Sequence, residues 1–230
     1  MQPIQPPPKA IIFDMDGTLA DTFPLVVAAW NAALSRHAGR DFSAEEVIAR
    51  FGIPDPAMIR RELPEHLGDE AVEAYHLHYE QQHAGLARAF EGVCEMLEGI
   101  QQRGLPRGVM TGKGRQSAMI SLRALGWERM FDAVVTGEDV ARQKPDPEGL
   151  FLVARQLGVS PRDCVFVGDS PADIGAGKNA AMRTIVAGWH PVYLEHLRAM
   201  GFDYWAQTPA DVVKLLGSGE ESPTSWIRER

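Results

Sequence analysis

Short apolar runs alternate with amphipathic stretches along most of this chain. Ala10-Ile11-Ile12-Phe13 is apolar and β-rich and stops abruptly at Asp14, as a buried parallel strand stops at its carboxyl edge. Gly108–Met110, Ala133–Val135, Cys164–Val167 and a weaker run at Thr184–Ala187 predict further strands, each followed by polar or glycine-rich residues. Between them, Gly92–Arg103, Arg115–Leu125 and Pro147–Leu157 predict helices. Gly104, Gly126 and Gly158 close them, where a left-handed cap costs glycine little. The alternation predicts an α/β fold with a doubly wound, Rossmann-like parallel sheet, and places functional groups where strands end.

From Asp21 to Leu86 the period changes. Leu25, Val26, Ala29, Trp30, Ala33 and Leu34 recur at helical spacing, and Ser43 with Glu46 forms a capping-box start. Ala57–Glu62 and Glu70–His83 continue as helices with no strand among them. A complete βαβ unit needs only about 30 residues, so this segment is surplus to the sheet and reads as an inserted helical cap. The predicted division is therefore an α/β core from 1–20 and 87–216, a small α-helical cap from 21–86, and a polar tail from 217–230.

Composition narrows the partners. With 230 residues, 45% hydrophobic, the chain suffices for one core and a smaller module. A net charge of -8 disfavours nucleic acid and anionic membranes. No run reaches the ~20 apolar residues of a membrane span. Cys94 and Cys164 have no CxxC spacing, which points to core thiols in a reducing compartment and a cytoplasmic protein.

Candidate chemistry begins at the first strand end, with Asp14-Met15-Asp16-Gly17-Thr18. An acidic turn would account for either aspartate alone. Two carboxylates so close after a buried strand repel unless a cation or a proton lies between them. A second acidic group, Gly168-Asp169-Ser170-Pro171-Ala172-Asp173, follows the strand Val165–Val167. Such hard oxygen donors suit an open Mg²⁺ site. Asp173 also reads as an N-cap of a helix including Ile174–Ala180. Thr111 follows a strand, and Lys144 precedes a helix whose N-cap is predicted at Asp146 and first residue at Pro147. A hydroxyl and a lysine are the groups that phosphoryl transfer requires around the equatorial oxygens.

In order, Asp14–Thr18, Thr111, Lys144 and Gly168–Asp173 resemble the four signature motifs of the haloacid dehalogenase superfamily. The resemblance runs from about Ala10 to about Leu216. It is closest to the branch with a helical cap after the first motif, which includes phosphoglycolate phosphatases and related bacterial pyrophosphatases. It implies that Asp14 is the nucleophile and a Mg²⁺ ligand, and that Asp16 is the general acid/base and a ligand through its backbone carbonyl. It further implies that Thr111, Gly112 and Lys144 hold the phosphoryl group. Asp169 would bind Mg²⁺, with Asp173 doing so directly or through water.

Other readings are weaker. Dehalogenases need no metal and lack the second aspartate of the first motif, which disfavours that reaction. No lysine lies between Lys9 and Lys113 to form a cap Schiff base. A sugar-phosphate phosphatase or mutase shares the core and differs in cap contacts. A receiver-like phospho-switch has similar groups, but an acid/base at Asp16 favours turnover. Thr111-Gly112-Lys113-Gly114 fails as a P-loop because Arg107 stands where its first glycine belongs. No strand-end histidine is evident for an esterase, and His76, His78 and His83 read as a solvated helix face. The expected substrate is a small phosphorylated metabolite with a second anionic group, 2-phosphoglycolate first and pyrophosphate second. Gly52-Ile53-Pro54 resembles the family's specificity loop. Arg50, Arg60 and Arg61 are the nearby cations expected to meet that second group.

Overall fold

A computed structural model describes residues 2–190 and 192–217. The predicted tail beyond residue 217 lies outside the described residues. The sheet is formed by β1 (Ala10–Phe13), β4 (Arg107–Met110), β5 (Ala133–Val135), β6 (Cys164–Gly168), β7 (Arg183–Ala187) and β8 (Tyr204–Ala206) in the order β5-β4-β1-β6-β7-β8, every pair parallel. The five predicted strands all form, with ends extended by one residue in three of them. The sixth, β8, was not predicted, because Tyr204-Trp205-Ala206 is a short edge strand with no apolar alternation to signal it.

β1 is central and wholly buried, and its alternation sorts side chains to two cores. Ile11 and Phe13 pack with α5 (Val93–Gln102) and α10 (Pro209–Leu215), whereas Ala10 and Ile12 face α7 (Glu148–Leu157) and α8 (Pro171–Asn179). Helices thus cover both sheet faces. Cys94 corrects one expectation: it lies on the exposed side of α5, opposite Val93, Met96 and Leu97, while Cys164 is buried and both thiols are free. Helix starts also shift. Pro147 takes the N-cap place of α7, although Asp146 still accepts the Glu148 N–H at 3.0 Å. Asp173 is not an N-cap: Ser170 is, and Asp173 completes its capping box three residues on.

The helical segment leaves and rejoins the core through β2 (Ala20–Asp21) and β3 (Arg88–Ala89), an antiparallel pair. It contains α1 (Phe23–Ala38), α2 (Ala44–Ile48), α3 (Asp55–Arg61) and α4 (Glu65–Leu86) around a core of its own that includes Leu25, Trp30, Leu34, Ile59 and Tyr79. α4 lies against the core helix α6 (Arg115–Ala124), whose Ile120 joins that cluster. Here the histidine expectation is corrected. His76 and His83 are buried, not solvated, and only His78 is partly exposed. The reason is their polar partners on α3 and α6. Ser121 Oγ lies 3.0 Å from His83 Nε2 and 2.8 Å from the Tyr79 hydroxyl, while His76 Nε2 lies 3.3 Å from Asp55.

Asp55 is the hub of this contact. Its buried carboxylate accepts the Gly114 N–H and the Ser117 hydroxyl, each at 2.7 Å. Burial pushes Asp55 upward, but hydrogen bonding from His76, the charge of Lys113 and the bonds from Ser117 and Gly114 outweigh it and hold the carboxyl below its ordinary value. Asp55→Ala strands these donors and is expected to cost about 3–5 kcal/mol in urea unfolding at pH 7. Because the folded pKa is depressed, this stabilisation is fully present above the ordinary value of 3.8 and is lost as pH falls through the folded value. The wild-type advantage should therefore shrink in unfolding curves taken at progressively more acidic pH.

Candidate active site

Parallel strands deliver their following residues to one edge, and the switch of direction about β1 opens a crevice there. Asp14 follows β1 and is fixed by its N–H, which donates to Val167 O at 2.9 Å. Thr111 follows β4 and donates its N–H to Val135 O at 3.1 Å. Asp169 follows β6. These meet around a cavity of about 330 Å³ whose core side includes Asp14, Asp16, Thr111, Gly112, Lys144 and Asp169. The cap side is largely apolar, with Phe23, Val26, Ile48, Phe51, Ile53 and Met58.

Lys144 reaches inward to lie 2.6 Å from both Asp14 Oδ1 and Asp173 Oδ1. The other Asp173 oxygen accepts the N–H and hydroxyl of Ser170 at 3.0 and 2.6 Å, so the capping box and the inward contact coexist. Asp169 accepts from Thr18 Oγ1 at 3.0 Å. Gly17 is required beside it: its φ is +82°, and a Cβ there would lie 2.1 Å from Asp169 Oδ2.

Burial drives the charges in this centre. It pushes the Asp14 carboxyl well above its ordinary value, against the pull of Lys144 and with the repulsion of Asp173, Asp169 and Asp16 added. Burial likewise raises Asp169, opposed by a hydrogen bond from His190. Burial works to lower Lys144, but Asp14 and Asp173 override it and hold the ammonium above its usual value. Asp14 and Asp173 thus share one lysine, while the oxygens of Asp169 meet Thr18 and His190. An oxygen from each of Asp14, Asp169 and Asp173 lies within 4.8 Å of the others, and hard donors so arranged fit a divalent cation such as Mg²⁺. The Asp16 carboxylate stands outside this trio, accepting from Thr22 Oγ1 and lying 3.2 Å from Lys113 Nζ. Its expected metal contact is through the backbone carbonyl.

Two site residues escaped the sequence reading. Lys113 is buried, lines the cavity and lies 5.0 Å over the Tyr79 ring. Burial works to lower its pKa, but Asp16 first and then Tyr79 hold it well above the usual value. Its position two residues after the strand-end Thr111 was the available signal. His190 follows β7 and lies 2.8 Å from Asp169, so a histidine does stand beyond a strand end. Trp189-His190 matches no motif that would have singled it out.

The three arginines are a correction. Arg50 pairs with Glu62 at 3.0 Å and Arg60 with Asp69 at 3.0 Å, while Arg61 lines a separate surface hollow with Arg50 and Glu62. None lines the cavity, because the packing of α2 and α3 turns Arg50 and Arg60 to acidic neighbours and Arg61 to the separate hollow. Gly52 and Ile53 of the expected loop do line it.

The family model for haloacid dehalogenase-like hydrolases matches residues 11–187. Pyrophosphatase PpaX of Bacillus velezensis is 33% identical over 208 residues, covering 90% of this chain and 96% of that one. Among solved structures, CbbY from Rhodobacter sphaeroides in complex with phosphate is similar at a TM-score of 0.78 with 25% identity, covering 89% of this chain and 96% of that one. A predicted phosphoglycolate phosphatase from Haemophilus somnus shares the fold at a TM-score of 0.77 with 23% identity, covering 90% and 97%. The match to the family model spans the sheet from β1 to β7 and every carboxylate of the site, and this chain is an enzyme that belongs to the haloacid dehalogenase-like hydrolase family.

Proposed function

We propose that this protein is a Mg²⁺-dependent phosphatase that hydrolyses a small phosphorylated metabolite through an aspartyl-phosphate on Asp14. The observation that carries the reading is the buried group of Asp14, Asp169 and Asp173, with Lys144 bonded to Asp14 and Asp173 and with Thr111 and Gly112 lining the same cavity. In the first step an Asp14 oxygen attacks phosphorus as the bond to the leaving oxygen breaks, and Asp16 supplies the proton to that oxygen. In the second step water attacks the same phosphorus, Asp16 takes its proton, and the acyl-phosphate bond breaks to return Asp14 and release inorganic phosphate. Lys144, Thr111 and the Gly112 N–H hold the phosphoryl oxygens throughout. Asp14, Asp169, Asp173 and the Asp16 carbonyl would hold Mg²⁺, which would supply charge neutralisation at those oxygens.

The cavity supports a compact, anionic leaving group. Its cap side is mostly apolar, with Thr22, Asp55 and Tyr75 as its polar residues, whereas Lys113 lines the cavity as a second cation besides Lys144. Lys113 thus takes the role first assigned to the arginines. Pyrophosphate becomes the leading candidate, ahead of 2-phosphoglycolate, because relatives named pyrophosphatase match nearly the whole chain at up to 33% identity. A cytoplasmic setting without nucleic-acid or membrane partners belongs to the same reading. The net charge of -8 supports it, and among the described residues no helix is long and apolar enough to cross a membrane.

The test is kcat/KM for pyrophosphate, 2-phosphoglycolate, a hexose phosphate and an aryl phosphate, with Mg²⁺, with Ca²⁺ and in chelator. Activity should require Mg²⁺ and be inhibited by Ca²⁺, whose looser, larger coordination disturbs in-line geometry. Lys113→Met should lower kcat/KM for the two substrates that carry a second anionic group by ~10–100-fold more than for the aryl phosphate, the worth of one charge-assisted contact. Full activity after verified metal removal would refute the metal. Preference for the hexose phosphate, indifferent to Lys113→Met, would refute the substrate class.

A further inference from the structure

Asp169 is gripped on both of its carboxyl oxygens. Thr18 Oγ1 donates to Oδ1 at 3.0 Å, and His190 Nδ1 lies 2.8 Å from Oδ2. The two partners are joined to each other, because Trp189, the residue before His190, donates its indole N–H to the Thr18 carbonyl at 3.0 Å. A closed ring of contacts results. All of Thr18, Asp169 and His190 are buried. The imidazole plane is set by aromatic residues at the two chain crossings between core and cap. Phe23, the first residue of α1, stacks on it at 4.9 Å and 27°, and Phe90, just after β3, lies at 5.7 Å.

We propose that His190 is a positioning residue for the metal centre, donating Nδ1–H to Asp169 and fixing the rotation that brings an Asp169 oxygen to Asp14 and Asp173. This rests on the reading of Asp169 as a Mg²⁺ ligand. An ionised carboxylate only accepts hydrogen bonds, so a close Nδ1 contact makes that nitrogen the protonated one. Rotation about the last torsion of an aspartate is broad and two-fold, and one donor leaves it loosely set. A second donor, whose own ring is wedged between Phe23 and Phe90, removes that freedom. Outer partners of metal ligands typically contribute ~10–100-fold in metal affinity by this means.

A purely structural histidine would act through its ring stack, and the two roles separate by substitution. His190→Phe keeps an aromatic ring against Phe23 and removes the donor. His190→Asn restores one, because the asparagine Nδ2 branches from the same carbon position as the imidazole Nδ1. The pair His190→Asn and His190→Leu, similar in shape and differing in the donor, makes the same comparison without a ring if His190→Phe does not fold. Mn²⁺ affinity is read from the electron paramagnetic resonance signal of the free ion, with thermal melting as the control for folding. His190→Phe and His190→Leu should each weaken Mn²⁺ binding by ~10–100-fold without loss of the cooperative melt, and His190→Asn should recover most of it. Wild-type Mn²⁺ affinity in folded His190→Phe or His190→Leu, or equal weakening in His190→Asn, would overturn the proposal while leaving the metal site standing. Failure of the wild type itself to bind Mn²⁺ would overturn both.

Discussion

Asp14→Asn is expected to abolish turnover, lowering kcat by on the order of 10⁴-fold or more, the scale seen when a nucleophile is removed from a concerted site. The folded state should be at least as stable as the wild type without metal. An amide is a poor nucleophile and nearly the same shape as the carboxylate it replaces. The backbone bond from residue 14 to Val167 is untouched. Burial and three neighbouring carboxylates press against ionisation of Asp14, and the amide removes that conflict while Lys144 keeps Asp173 at 2.6 Å. The measurement is phosphate release under single-turnover conditions together with a melting curve in chelator. A near-wild-type rate in pure Asp14→Asn would rule out the aspartyl-phosphate.

Gly17→Ala should also be strongly damaging, although glycine contributes no chemistry of its own. The added Cβ would meet Asp169 Oδ2 at 2.1 Å and Cγ at 2.6 Å, far inside contact distance. Asp169 has no free direction to retreat, since Thr18 and His190 hold its two oxygens. The left-handed backbone at residue 17 adds a further cost of roughly 1–2 kcal/mol for any side chain. Misplacing a group at a reacting centre by about 1 Å can cost ~10²-fold, and kcat/KM is expected to fall by at least that much. Weaker Mn²⁺ binding should accompany it. Retention of wild-type kcat/KM in Gly17→Ala would show that Asp169 need not sit where the structure places it.

Where local physics decides, the chain was readable. Ala10–Phe13 could only be a strand buried on both faces, because an unbroken apolar run ending at an aspartate has no exposed side to offer. Ser43 with Glu46 announced the start of α2 through a cap that closes within four residues of chain, and the capping box is present. Thr208-Pro209-Ala210-Asp211 carries the same signature, and its box caps α10, so that helix was also legible though not read. Ser170-Pro171-Ala172-Asp173 is a third case, in which Asp173 was placed one role too far along the helix start.

The side-chain partners were not readable in this way. Arg50, Arg60 and Arg61 carry the charge a second anionic group needs, and nothing in their spacing tells which way α2 and α3 face. Only the packed helices send them to Glu62, to Asp69 and to the outer surface. His76 and His83 looked like polar interruptions of a solvated face, and burial became possible only because α6, some 40 residues later, supplies Ser121 and positions Gly114 and Ser117 around Asp55.

Five of the six sheet strands and the residues at their ends were legible in the chain, because these follow from periodicity and from caps formed by near neighbours. Tertiary structure alone decided which distant groups share a charge. Lys144 meets Asp14 across 130 positions, Lys113 turns inward to Asp16, and His190 closes on Asp169. Such contacts have no local signal, since a buried charge is stable only when its partner arrives from another element.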